Sequence, residues 1–117
     1  MAPRARIASY GEFWPHYLRE HAKPATRSLH YLGTALGLVG IGGLIATGNP
    51  WFFVGAVATG YAPAWLGHAL VEKNKPATLR YPFWSLISDF RMFAAWLTGG
   101  LGDELAKAGV ASQVPLP

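Results

Sequence analysis

The chain has 117 residues, 51% of them hydrophobic and 14% charged, with a formal net charge of +4. That length supports one domain and one core, and the apolar profile suits a small membrane protein better than a soluble one. There is no cysteine, so disulfides, thiolate metal sites and cysteine nucleophiles are excluded, and the charge is too modest to suggest a nucleic-acid partner.

Residues 1–8 read as a flexible basic lead. No secretory signal follows, because Gly11-Glu12 and Arg19-Glu20-His21 stand where an apolar stretch should be. Ser9-Tyr10-Gly11-Glu12 matches a capping box and predicts a helix over 9–22. Its Phe13, Trp14, Tyr17 and Leu18 suggest an interfacial helix with aromatics at headgroup level. Pro24 opens a helix over 24–48, whose apolar arm from Tyr31 to Gly48 is near the lower limit for a membrane span. Gly33 and Gly37 form a GxxxG pair that favours close helix packing.

Gly48-Asn49-Pro50 is a turn signature. The returning helix is placed over 51–72, with Trp51 and Phe52 as interface anchors and a kink expected at Pro63. The turn carries no charge, whereas both outer ends of the hairpin carry Lys and Arg, which places both ends in the cytoplasm. Lys75-Pro76-Ala77-Thr78 repeats Lys23-Pro24-Ala25-Thr26 and reads as a second, similar helix start. A third, aromatic helix is placed over 76–100, with Asn74 as its cap. Asp89 and Arg91 leave spanning, re-entrant and interfacial readings open for it, and 103–117 reads as a loose tail. The fold expected is all-α: a small integral membrane helical bundle with a central transmembrane hairpin and flanking interfacial or re-entrant helices.

The chemistry-bearing residues gather at one end of that hairpin. His30 and His68 are equally far from Asn49, so the hairpin returns them to one depth, roughly 28 Å from the turn at ~1.5 Å per residue. His21 precedes the first arm on the same side, and Glu72 lies four residues after His68, on the same helical face. Imidazole and carboxylate together suit Fe(II), Mn(II) or Zn(II). Ionisable groups at such depth are costly unless used or paired. His16 reads as a surface histidine beside Glu12 and Glu20, and Asp89 as a salt-bridge partner of Arg27 or Arg80; whether either joins the ligand set is left open. Arg27 is one turn before His30 and could hold a carboxylate in a bidentate fork.

Several stretches resemble the Mpo1-like family: Phe13-Trp14-Pro15-His16-Tyr17-Leu18-Arg19-Glu20-His21, then Pro24-Ala25-Thr26-Arg27-Ser28-Leu29-His30-Tyr31-Leu32-Gly33-Thr34. The strongest is Ala64-Trp65-Leu66-Gly67-His68-Ala69-Leu70-Val71-Glu72-Lys73-Asn74-Lys75-Pro76-Ala77-Thr78, continuing to Asp89-Phe90-Arg91-Met92. The resemblance implies an integral membrane protein, in an inner membrane if bacterial or the endoplasmic reticulum if eukaryotic. Its yeast member is an Fe(II)-dependent dioxygenase that shortens a 2-hydroxy fatty acid by one carbon in α-oxidation. On that basis His21, His30, His68 and Glu72 are expected as catalytic Fe(2+) ligands, and Arg27, Tyr31 and Asn74 as substrate-binding residues. The partners expected are a 2-hydroxy fatty acid, O2 and membrane lipids, with homo-oligomer formation and substrate chain length left open. The rival readings are a non-enzymatic membrane scaffold and a zinc-dependent lipid hydrolase.

Overall fold

A computed structural model describes residues 6–110. Among them every regular element is helical and none is a strand. Helix α1 spans Tyr10–Arg19, and the Ser9 hydroxyl accepts from the Glu12 backbone N–H at its start. Such a cap satisfies a donor that has no partner within the helix. Helix α2 spans Pro24–Thr47 and ends on Gly48 in the left-handed conformation, φ 69°. Helix α3 returns over Trp51–Leu66 and runs on as a π-helical turn, Gly67–Glu72.

A short 3₁₀ turn, Ala77–Leu79, precedes helix α4 over Pro82–Thr98 and helix α5 over Leu101–Lys107. Three expectations are corrected here. Asn74 caps no helix; the third helix begins only at Pro82, with Tyr81 as its N-cap. The repeat of Lys-Pro-Ala-Thr therefore opens a long helix once and a single 3₁₀ turn the second time. The tail expected over 103–117 begins inside a helix, Leu101–Lys107, with Asp103 and Glu104 in its first turn, where the helix dipole favours acids. Residues 111–117 of the expected tail, and 1–5 of the expected lead, lie outside the described residues. Arg6 and Ile7 are engaged: Arg6 donates to Arg80 O at 3.1 Å, and the Ile7 N–H to the Tyr81 hydroxyl at 2.8 Å.

The hairpin arms approach closely where glycine allows it. A Cβ on Gly33 would stand 2.3 Å from the Gly60 carbonyl oxygen, and one on Gly40 would stand 2.7 Å from the Ala56 Cβ. Packing thus uses Gly33 and Gly40, a spacing of two turns. Gly37, the second member of the GxxxG pair, meets nothing closer than 3.6 Å.

The core lies at the open end of the hairpin. Phe13, Tyr17, Leu18 and Met92 are fully buried, joined by Trp14, Tyr31, Tyr81 and Leu101. Helix α1 therefore turns its aromatic face into the protein, against α4 and α5, and not toward headgroups. Trp14 Nε1 donates to Glu104 at 3.0 Å, and Tyr10 and Ser88 share a hydrogen bond of 2.9 Å. Tyr31 stacks on Trp96 at 4.4 Å, which ties α2 to α4.

Candidate metal centre

His21 follows α1, His30 lies in the second turn of α2, and His68 lies in the π-helical turn. All three are buried, at 1%, 5% and 2% exposure. One ligand atom from each lies within 4.8 Å of the others. The ring centroids are 4.3–4.9 Å apart and each pair of rings is close to perpendicular.

The protons on these rings follow from their partners. His21 Nδ1 is 2.6 Å from the Tyr17 carbonyl oxygen, and His30 Nδ1 is 2.9 Å from the Thr26 carbonyl oxygen. A carbonyl can only accept, so both Nδ1 atoms carry hydrogen and both Nε2 atoms present lone pairs. His68 Nδ1 is 2.6 Å from Asn74 Oδ1. The Asn74 amide is oriented by its other end, where Nδ2 donates to the Glu20 backbone oxygen at 3.0 Å and to the Glu20 carboxylate at 2.6 Å. His68 therefore donates from Nδ1 as well. The π-helical turn makes this contact possible: it closes on Lys73 with φ 63°, and the Asn74 N–H bonds back to His68 O at 3.0 Å. Single π turns recur at functional sites, and this one ends the helix so that Asn74 faces His68.

His21 Nε2 and His30 Nε2 are 3.0 Å apart. Two lone pairs at that distance repel unless a cation lies between them. A proton is a poor candidate, since burial first, and then the neighbouring His30 and His68, hold His21 well below the usual imidazole range. Three neutral imidazoles, each with Nδ1 anchored to an outer partner, have the donor pattern a metal ion requires. The His21–His30–His68 cluster could hold a metal ion.

The other expected site residues fall into distinct places. Glu72 is not brought into the cluster; its carboxylate accepts from the Lys23 N–H at the start of α2, satisfying the N-terminus of that helix. Asn74 sits in the shell around the histidines, with both amide ends engaged. His16 pairs with Glu20 at 3.7 Å. Asp89 accepts from the Tyr17 hydroxyl and forms no ion pair with Arg27 or Arg80 among the described residues.

Arg27 is 5% exposed, and its Nη1 donates to the carbonyls of His21 and Ala22 at 2.9 and 2.8 Å. No carboxylate among the described residues neutralises it. Tyr31 packs beside it, with its buried hydroxyl against the Arg27 guanidinium. Sequence reasoning missed Tyr17, whose ring stacks on His21 at 4.0 Å. Its position four residues before His21, matching Thr26 before His30, is the signal that was available.

The family comparison adds to this geometry. The family model described as Mpo1-like, 2-hydroxy-palmitic acid dioxygenase Mpo1-like, matches residues 7–101. The chain belongs to that family. All three histidines and their Nδ1 partners lie inside the matched stretch. No match to the chain was found among curated proteins or among solved structures. The family's description implies a dioxygenase acting on a fatty acid and O2.

Proposed function

We propose that this protein is an Fe(II)-dependent dioxygenase that shortens 2-hydroxy fatty acids by one carbon, at the cytoplasmic face of a membrane. The observation that carries the reading is the pair of facing Nε2 lone pairs, 3.0 Å apart, in a buried three-histidine cluster. Imidazole donors suit Fe, Zn, Cu and Ni alike. Zinc is redox-inert, so the dioxygenase named by the family favours iron. When bound, Fe(II) supplies redox access to O2 and open positions for the substrate.

The chain's own residues supply the rest. The guanidinium of Arg27, buried without a counter-charge among the described residues, and the adjacent hydroxyl of Tyr31 suit a substrate carboxylate. Asn74 holds His68 in the donor-ready tautomer, and the carbonyls of Tyr17 and Thr26 do the same for His21 and His30. Burial by α1 keeps water from the site. Overall, a 2-hydroxy acid and O2 yield the acid one carbon shorter, CO2 and water. The C1–C2 and C2–H bonds break, C2 gains two further bonds to oxygen, the released hydrogens leave in water, and the electrons lost by both carbons reduce O2.

Membrane insertion is part of the proposal. Helix α2 is long and apolar enough to cross a bilayer, and α3 with its π turn runs beside it. We read α2 and α3 as spanning and α4 as lying outside the span, packed on α1 and α5. Val39 and Ile45 are 71% and 80% exposed, as side chains facing lipid would be. The uncharged turn and the Lys and Arg at the other end support a centre on the cytoplasmic side. Fe(II) loading under argon should give on the order of one iron per chain, lost in a His30→Ala/His68→Ala variant. Aerobic 2-hydroxypalmitate should then yield pentadecanoate with O2 uptake. Ester hydrolysis by a zinc form without O2 would instead establish the hydrolase, and no metal in either protein would leave the scaffold reading.

A further inference from the structure

Below the triad the hairpin face is open. A groove of about 410 Å³ runs between α2 and α3 on one side and α4 on the other. On α2 its lining includes Gly33, Gly37 and Ile41, which follow His30 by three, seven and eleven residues. On α3 it includes Tyr61, Val57 and Phe53, which precede His68 by seven, eleven and fifteen. Both spacings select one helix face. The groove therefore lies on the faces that carry two of the three histidines.

From Gly33 to Ile41 it runs roughly 12 Å at ~1.5 Å per residue. Its chemistry is graded. Thr34, Tyr61 and Asp89 line the end near the triad, whereas Ile41, Phe53 and Val57 line the remote end. Tyr17 links the two regions, with its ring on His21 and its hydroxyl on Asp89. The polarity is graded as for an amphiphile: the ionisable lining groups, Asp89 and Tyr61, stand at the end near the triad, with Arg27 beyond them one turn before His30, and no ionisable group lines the far end. Gly37 is informative because helix packing does not demand it. A Cβ there would meet the Ala56 carbonyl oxygen at 3.6 Å, an ordinary contact, so the missing side chain keeps the groove open.

We propose that this groove takes the acyl chain of the 2-hydroxy fatty acid, and that Gly37 and Phe53 set the chain length accepted. The proposal rests on the dioxygenase reading for its substrate. The full chain in bicelles tests it through two readouts. In the first, metal-free protein is photolabelled with 2-hydroxypalmitate carrying a terminal diazirine. Label should fall on Ile41 and Phe53, at least 10-fold above that from a phospholipid with the same diazirine, and Gly37→Leu should cut it at least 10-fold.

In the second, with Fe(II) and O2, Gly37→Leu should lower turnover of 2-hydroxypalmitate relative to 2-hydroxydecanoate at least 10-fold, with metal content unchanged. Phe53→Ala, at an exposed position, should shift preference toward longer chains, and serves if Gly37→Leu fails to fold. Label spread over the outward helix faces, equal labelling by the phospholipid, or a crosslinked dimer through this face would each overturn the groove. Unaltered chain-length preference in an active enzyme would overturn it too, while leaving the dioxygenase reading intact. Labelling as expected, with no turnover of any 2-hydroxy acid, would support the groove and overturn the dioxygenase reading.

Discussion

Around the histidines, Phe13, Tyr17, Leu18 and Met92 have no exposed surface, whereas at the far end of the hairpin Trp51 is 74% and Ile45 80% exposed. The far end is the more apolar of the two in sequence, yet it is the more exposed. They differ in what covers them. The open end is wrapped by α1, α4 and α5, which do not reach the tip. Apolar burial within the chain thus stabilises the end that carries the three histidines, while the tip buries little of its own surface. A site that must hold three imidazoles in fixed orientations needs the rigid, close-packed end.

The sharpest way to break this comparison is to truncate side chains at each end. Phe13→Ala should cost about 3–5 kcal/mol of stability by leaving a cavity in the aromatic core. Ile45→Ala should stay within ~0.5 kcal/mol, as surface changes do. Thermal unfolding of both variants in one detergent checks this, and similar losses in the two would dissolve the distinction.

The second largest effect concerns Asp89. Burial pushes its carboxyl up to about 7, against ~3.9 in an unfolded chain. Between those values the folded protein keeps a proton that the unfolded chain has lost, so stability falls as pH rises from about 4 to 7. Asp89→Asn keeps an acceptor for the Tyr17 hydroxyl and removes the titration. The stability gap between wild type and variant should therefore shift by roughly 2 kcal/mol from pH 5 to pH 8, in the variant's favour. His21 acts in the opposite direction. Its lowered pKa means the unfolded chain takes up a proton first as pH falls through ~6.5, so acid destabilises both proteins. A gap that stays constant with pH would place Asp89 in a wetter setting than its burial implies.

The smallest effect sharpens the comparison within one helix. Gly33→Ala drives a methyl against the Gly60 carbonyl and should cost roughly 1–3 kcal/mol. Gly42→Ala meets nothing within 4 Å and should be neutral or stabilising by up to ~1 kcal/mol, through helix propensity. Unfolding midpoints of the two single variants separate packing glycines from permissive ones.

Much of the centre was legible in the chain because it depends on regular geometry. Equal spacing of His30 and His68 from Asn49 is enough to level them once Gly48-Asn49-Pro50 turns the chain, and Pro24 and Ser9 mark helix starts through local backbone chemistry. The all-helical fold, the hairpin and the three-histidine end follow from such local rules. The rest needed contacts between residues far apart in sequence. Glu72 satisfies the same i,i+4 spacing as a ligand would, yet an unpaired N–H at Lys23, 49 residues away, takes its carboxylate. Asn74 has the look of a cap, but the π turn, invisible to residue periodicity, swings it onto His68. Asp89 could have met an arginine; the fold gave it the Tyr17 phenol instead. Periodicity assigns a residue to a helix face, and only tertiary packing decides which partner that face meets.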